Sequence, residues 1–234
     1  MAKRVGFRLA SWWTHALARQ RGSRLGPVRA LVGQIVILNG APRSGKTSIC
    51  RALQERGPGV WVNLGVDASE RSIPERLRPG VGLRPGGERP DLEDAVVRLY
   101  DALFESVAAH ARLGLDVVVD VGLHDAYSRP LGLPTRCARR LEGLPVLFVG
   151  VHCPLDVVWD RRRVSWGQDD AAADEDLRAA VERWQVAVHA HGHYDLDLDT
   201  SELAPAHCAD VIVTRLADGP PGVSFAWLAD RGPP

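Results

Sequence analysis

Lysine is almost missing from this chain. Of its 29 basic residues only Lys3 and Lys46 are lysines, and the rest are arginine. Acidic residues are missing from the first stretch altogether, since no Asp or Glu precedes Glu55. The four cysteines, Cys50, Cys137, Cys153 and Cys208, are widely spaced and form no C-x-x-C pair. That argues against a zinc site or a disulfide frame and for buried thiols in a reducing, cytoplasmic setting. No apolar run approaches the ~18–20 residues that span a bilayer, so an integral membrane segment is not expected. Formal net charge is zero, which removes whole-molecule electrostatics as an argument for nucleic acid.

What is present fits an α/β domain. The 234 residues are 45% hydrophobic and 25% charged, enough to bury a core in one unit. Residues 1–33 read as a basic extension, with Lys3, Arg4, Arg8, Arg19, Arg21, Arg24 and Arg29 and no acid. A flexible extension is the expectation. A basic amphipathic helix on a membrane surface and a transit-type sequence are the alternatives. Residues 34–216 carry the domain grammar, and 217–234 form a Pro/Gly-rich tail.

The second lysine is the informative one. Gly40-Ala41-Pro42-Arg43-Ser44-Gly45-Lys46-Thr47 fits the phosphate-loop pattern G-x-x-x-x-G-K-[ST] at every fixed position. An ammonium reaches between β- and γ-phosphates as a point charge, which the wider guanidinium does not. Gln34 to Leu38 reads as a buried strand and Ser48 to Arg56 as a helix closed by Gly57-Pro58-Gly59. Strand, glycine loop and helix aim free amides and a helix N-terminus at a phosphate chain. A glycine-rich turn with an incidental lysine is the alternative.

Further strands are expected over Val60–Leu64, Leu115–Asp120, Leu144–Val151 and Tyr194–Asp199. Helices are expected over Asp91–Leu113, with Asp91 as N-cap, and over about Asp174–His189 and Leu203–Leu216. Alternation of this kind predicts a parallel five-stranded sheet covered on both faces, with its site at the carboxyl ends of the strands. The stretch from Ile73 to Pro90 is long for a connection, which marks it as functional or disordered.

Three further positions suit phosphoryl transfer. Asp120, after three valines, is placed to hold Mg²⁺ together with Thr47; a capping or turn aspartate is the alternative. Asp67, after the second strand, is the candidate general base, or else a ligand for a substrate hydroxyl. Arg161-Arg162-Arg163 opens a lid around 161–173 that would cover developing phosphoryl charge; a solvated basic face is the alternative. His124, His152, His189, His191 and His193 show no metal-ligand spacing tied to acidic partners and read as surface or packing residues.

From Gln34 to about Val213 the chain resembles the chloramphenicol 3-O-phosphotransferase family of phosphate-loop kinases. The likeness rests on Ile37-Leu38-Asn39-Gly40 and its loop, Gly65-Val66-Asp67, Val118-Val119-Asp120, Val149 to Cys153 with Arg161, His189, and Tyr194 to Thr200. It implies ATP-dependent phosphorylation of a small-molecule hydroxyl, with Asp67 as base and Arg161 as a lid arginine. The lid departs from the family's glycine-aspartate-arginine sequence, reading Val164-Ser165-Trp166-Gly167-Gln168, and the loop from Pro79 to Pro90 differs as well. A nucleotide-dependent ATPase or switch, and a toxin-like kinase of a nucleotide sugar, use the same parts. A homo-oligomer is compatible with either form of enzyme.

Overall fold

The fold is that of a computed structural model. It describes residues 32–166, 171–220 and 222–230, and the side chains of all of these except 162–177. The basic extension up to residue 31, the side chains of Arg162 and Arg163 and most of the expected lid lie outside the described residues.

Five strands form one parallel sheet in the order β2-β3-β1-β4-β5. They are β1 (Ile35–Asn39), β2 (Trp61–Asn63), β3 (Asp116–Val121), β4 (Val146–His152) and β5 (Leu196–Asp199). The central strand β1 is buried throughout because its two faces alternate between separate cores. Ile35 and Ile37 join one core with Val117, Val119 and Phe148. Val36 and Leu38 join the other with Val118, Leu147 and Val149. This explains why β1 reads as a continuous apolar run.

Helices cover both faces. The long α3 (Pro90–Arg112) buries Leu92, Val96, Tyr100, Leu103, Phe104 and Val107 on one side of the sheet. Its entry differs from expectation: Arg89 is the N-cap and Pro90 opens the first turn, where its missing N–H costs nothing. Asp91 lies one residue inside and pairs with Arg89 at 2.8 Å. The opposite face is covered by α1 (Lys46–Arg56) and α7 (Pro205–Asp218), joined by a bidentate pair from Arg56, at the end of α1, to Asp210 within α7.

Some elements carry no clear sequence signal. A short helix α2 (Val66–Ser72) follows β2, and α4 (Leu133–Arg140) precedes β4. Within 217–234, α8 (Ser224–Asp230) buries Phe225, Leu228 and Ala229. Phe225 stacks on Phe104 and meets the edge of Phe148, and Asp195 accepts the Val223 and Ser224 amides. Truncating so buried an aromatic costs about 3–5 kcal/mol, so α8 is part of the core packing. Helices α5 (Leu155–Trp166) and α6 (Ala171–His189) complete the chain. Among the described residues no helix is long and apolar enough to cross a membrane.

The stretch from Ile73 to Pro90 is ordered. It makes two tight turns, Glu75–Leu77 and Gly80–Gly82, and buries Val81 and Leu83 against α3. Tyr100 donates its hydroxyl to the Val81 carbonyl, and the Gly86 amide bonds to the Ala126 carbonyl.

Candidate active site

The phosphate loop leaves β1 at the centre of the sheet. Gly40 has no room for a side chain: a Cβ there would come within 2.4 Å of the Val151 carbonyl oxygen. Arg43 adopts φ +68° and Gly45 φ +97°. Left-handed residues in such a loop turn successive amides toward one side, a concavity suited to anions. Helix α1 begins with Gly45 as N-cap, with no side-chain cap and no acid in its first turn. Its free amides and positive dipole end therefore suit a phosphate. Lys46 curls back over the loop and donates to the carbonyls of Gly40 and Ala41, both at 2.8 Å. Burial of the ammonium pulls its pKa down to about 8, with Asp120 and then Asp67 among the charges that oppose the shift.

Asp120 and Thr47 meet. Register places Asp120 beside Leu38 on the central strand, and the Thr47 hydroxyl donates to Asp120 Oδ2 at 2.8 Å. The carboxylate is almost fully buried. Gly65 closes over it so tightly that a Cβ would fall 1.5 Å from Asp120 Oδ1. A buried carboxylate and a hydroxyl on adjacent elements are hard oxygen donors of the kind Mg²⁺ takes.

Asp67 lies in the first turn of α2 rather than on a bare strand end, exposed at the rim of the same cleft. That cleft has a volume of about 800 Å³ and is lined by Lys46, Thr47, Asp67, Asp120 and Arg161 together. Gly40, Pro42, Arg43 and Gly45 of the loop also line it, whereas Ala41 and Ser44 are buried beneath.

Arg161 is anchored. It donates to the Thr200 carbonyl at 2.6 Å, to Thr200 Oγ1 at 3.1 Å and to the Arg43 carbonyl at 3.5 Å. The Thr200 hydroxyl in turn donates to the Ser44 carbonyl at 2.7 Å, and its amide bonds to the His152 carbonyl. One threonine thus joins the end of β5, the phosphate loop and the arginine. The sequence marks it only by its place one residue past a strand end.

Asn39 is a second such joint. Buried at the end of β1, it donates to the Val188 carbonyl at 2.8 Å and to Tyr194 Oη at 3.0 Å, and it accepts the Leu123 amide at 2.7 Å. This ties the C-terminus of α6 to the sheet. Trp184, about one turn back on α6, packs over Gly122, where a Cβ would meet its ring at 2.6 Å, and lines the cleft. A polar residue closing an otherwise apolar strand is the signal for Asn39; Trp184 had none.

The histidines divide. His124 is a packing residue: its Nε2 bonds to the Leu83 carbonyl, its Nδ1 accepts the Ala126 amide, and burial lowers its pKa to about 4. His152 does have an acidic partner, Asp197, at 2.6 Å, which spacing along the chain did not reveal because the two come from different strands. His189 stacks on His152 and bonds to the Tyr194 hydroxyl, and burial brings its pKa to about 4. Among the described residues no group of side chains is set to hold a metal through three His, Cys, Asp or Glu ligands.

Known proteins carry the same frame. A gluconokinase from Sinorhizobium meliloti superposes with a TM-score of 0.52 at 20% identity, covering 81% of this chain and 96% of that one. An APS kinase of Mycobacterium tuberculosis, solved with AMPPNP and APS, gives 0.50 at 16% identity over 80% and 98%. These likenesses establish the phosphate-loop kinase fold. In sequence, a Mycobacterium tuberculosis protein named "Putative O-phosphotransferase" is 26% identical over 190 residues, 75% of this chain and 78% of its own length. The profile of the family described as chloramphenicol phosphotransferase-like protein matches residues 33–217. With that match spanning most of the chain, the protein belongs to the chloramphenicol phosphotransferase-like family, a family of phosphotransferases built on the phosphate-loop kinase fold.

Proposed function

We propose that this protein transfers the γ-phosphoryl group of ATP to a hydroxyl of a small molecule. The observation that carries the reading is the meeting of Lys46, Thr47, Asp67, Asp120 and Arg161 in one cleft. Lys46, the loop amides and Arg161 surround the place of the β- and γ-phosphates with positive charge. Leu203 and Pro205 line the cleft beyond Thr200 and offer an apolar wall to the base of the nucleotide. Thr47 and Asp120 are the residues that would hold Mg²⁺, which supplies charge neutralisation when bound.

Asp67 faces the loop from α2 and takes the acceptor hydroxyl's proton as that oxygen bonds to the γ-phosphorus. The bond from phosphorus to the bridging oxygen breaks, and the charge leaves on ADP. Because the transition state of phosphoryl transfer is loose, most of the work is alignment and charge cancellation rather than deprotonation. The deciding measurement is ADP formation with and without hydroxylated acceptors. Release that depends on an acceptor supports the transferase. Release at the same rate without one supports the ATPase or switch reading instead.

A further inference from the structure

The phosphate loop holds a side chain where glycine would fit better. Among the described residues nine glycines adopt positive φ, and Arg43, at φ +68°, is the only residue with a side chain that does so. A left-handed backbone strains an L side chain and leaves glycine unstrained. The concavity of loop amides needs that backbone, but it does not need arginine. Strain that persists at such a position points to a use for the side chain.

The neighbouring cations are already engaged. Lys46 donates to the Gly40 and Ala41 carbonyls, and Arg161 donates to both oxygens of Thr200 and to the Arg43 carbonyl. Arg43 is exposed, lines the cleft, and has no ion pair or side-chain hydrogen bond among the described residues. Arg51, also in the cleft, belongs to its other end. It stands five residues before Arg56 on α1, as Pro205 stands five before Asp210 on α7. Both helices follow parallel strands on one face of the sheet, so the Arg56–Asp210 pair sets Arg51 level with Pro205, at the wall proposed for the base.

Sequence adds a third point. From residue 164 to residue 177 the chain has five acids and no Lys or Arg. The part of the expected lid beyond Arg163 therefore brings no positive charge to a transferring phosphoryl group. Loop amides of this kind cradle the α- and β-phosphates, which leaves the γ-phosphate as the group short of donors.

Resting on the phosphotransferase reading above, we propose that the Arg43 side chain is a γ-phosphate ligand. It is an arginine carried by the phosphate loop itself, which distinguishes triphosphate from diphosphate and covers the charge of the phosphoryl group in transit. Its planar fork matches two non-bridging oxygens at once. As the acceptor oxygen bonds to phosphorus and the bond to the bridging oxygen breaks, Arg43 donates hydrogen bonds and neither gives nor takes a proton. The charge leaves on ADP.

Calorimetric titration of the full-length protein with AMPPNP and with ADP, each with Mg²⁺, tests this. Arg43→Ala keeps a side chain in the strained position and removes the cation, whereas Arg43→Gly removes both. Each variant should bind AMPPNP about tenfold or more weakly, with ADP within about twofold of the parent, as expected for losing one charge-assisted contact to the γ-phosphate. Without nucleotide, Arg43→Gly should melt at or above the parent because the strain is gone, and Arg43→Ala close to it. Parental AMPPNP affinity in both variants, an equal loss of AMPPNP and ADP, or a loss in only one variant overturns the proposal. Failure of the parent to bind AMPPNP instead overturns the phosphotransferase reading, and the proposal falls with it.

Discussion

The two ends of the cleft are built by opposite means. The phosphate end is cross-braced: Thr200 bonds to Ser44 and receives Arg161, Lys46 caps two loop carbonyls, and Thr47 reaches Asp120. The opposite side is lined by α2 and the turn at Gly80–Gly82, which lie together, and by Trp184 of α6. On the proposed function a triphosphate is common to every turnover and rewards a rigid cradle, while the wall at Val66, Asp67, Glu70 and Pro79 is where the shape of an acceptor would be read.

The largest break in this comparison comes from Lys46→Ala. Turnover should fall by a thousandfold or so, toward the upper range for losing one preorganised charge donor. Melting without nucleotide should stay near the parent, and the ATP-induced rise in melting temperature should vanish. Retained ATP stabilisation would dismiss the phosphate-loop role.

Asp67→Asn probes the other end. Asparagine keeps size and hydrogen bonding but takes no proton, so turnover should drop roughly a hundredfold with ATP affinity within a few-fold of the parent. Near-parental turnover would leave the chemistry to positioning and charge alone.

Thr200→Val keeps the shape and removes the hydroxyl that braces the loop. Losing two hydrogen bonds there should raise KM for ATP about tenfold with a smaller effect on kcat. Thr200→Ser should restore it; a valine variant with the parent's KM would show that the hydroxyl does no bracing.

The smallest effect is a slope. The Lys46 pKa, about 8 when folded, lies below the value of 10.5 that an unperturbed lysine has. The unfolded chain therefore binds more protons between those values, and this group makes the free protein more stable as pH rises through that window. A bound triphosphate favours the protonated form, so the ATP-induced melting shift should shrink from pH 8 to 10. In Lys46→Ala that slope should be gone, and a parent protein without the slope would show the ammonium to be ordinary.

Legibility followed the same division. The phosphate loop is local in sequence, and β1, β3 and β4 are runs long and apolar enough to read directly. Asp120 and Thr47 were legible as partners because each stands at a recognisable strand or loop end. Trp184, Glu70 and Pro79 were not, since only the fold brings their distant segments to one cleft. Helix α2 hid for another reason: seven residues bury nothing fully, so no apolar stripe announced it. Helix α8 is as short, and its Phe225, Leu228 and Ala229 are too few to outweigh the prolines and glycines around them.

The contact of Gly65 with Asp120 has a mechanical consequence. Gly65 is also the residue from which α2 starts, so the helix that carries Asp67 and Glu70 begins directly against the Asp120 side chain that meets Thr47. Any side chain at position 65 must therefore displace the carboxylate, the start of the helix, or both.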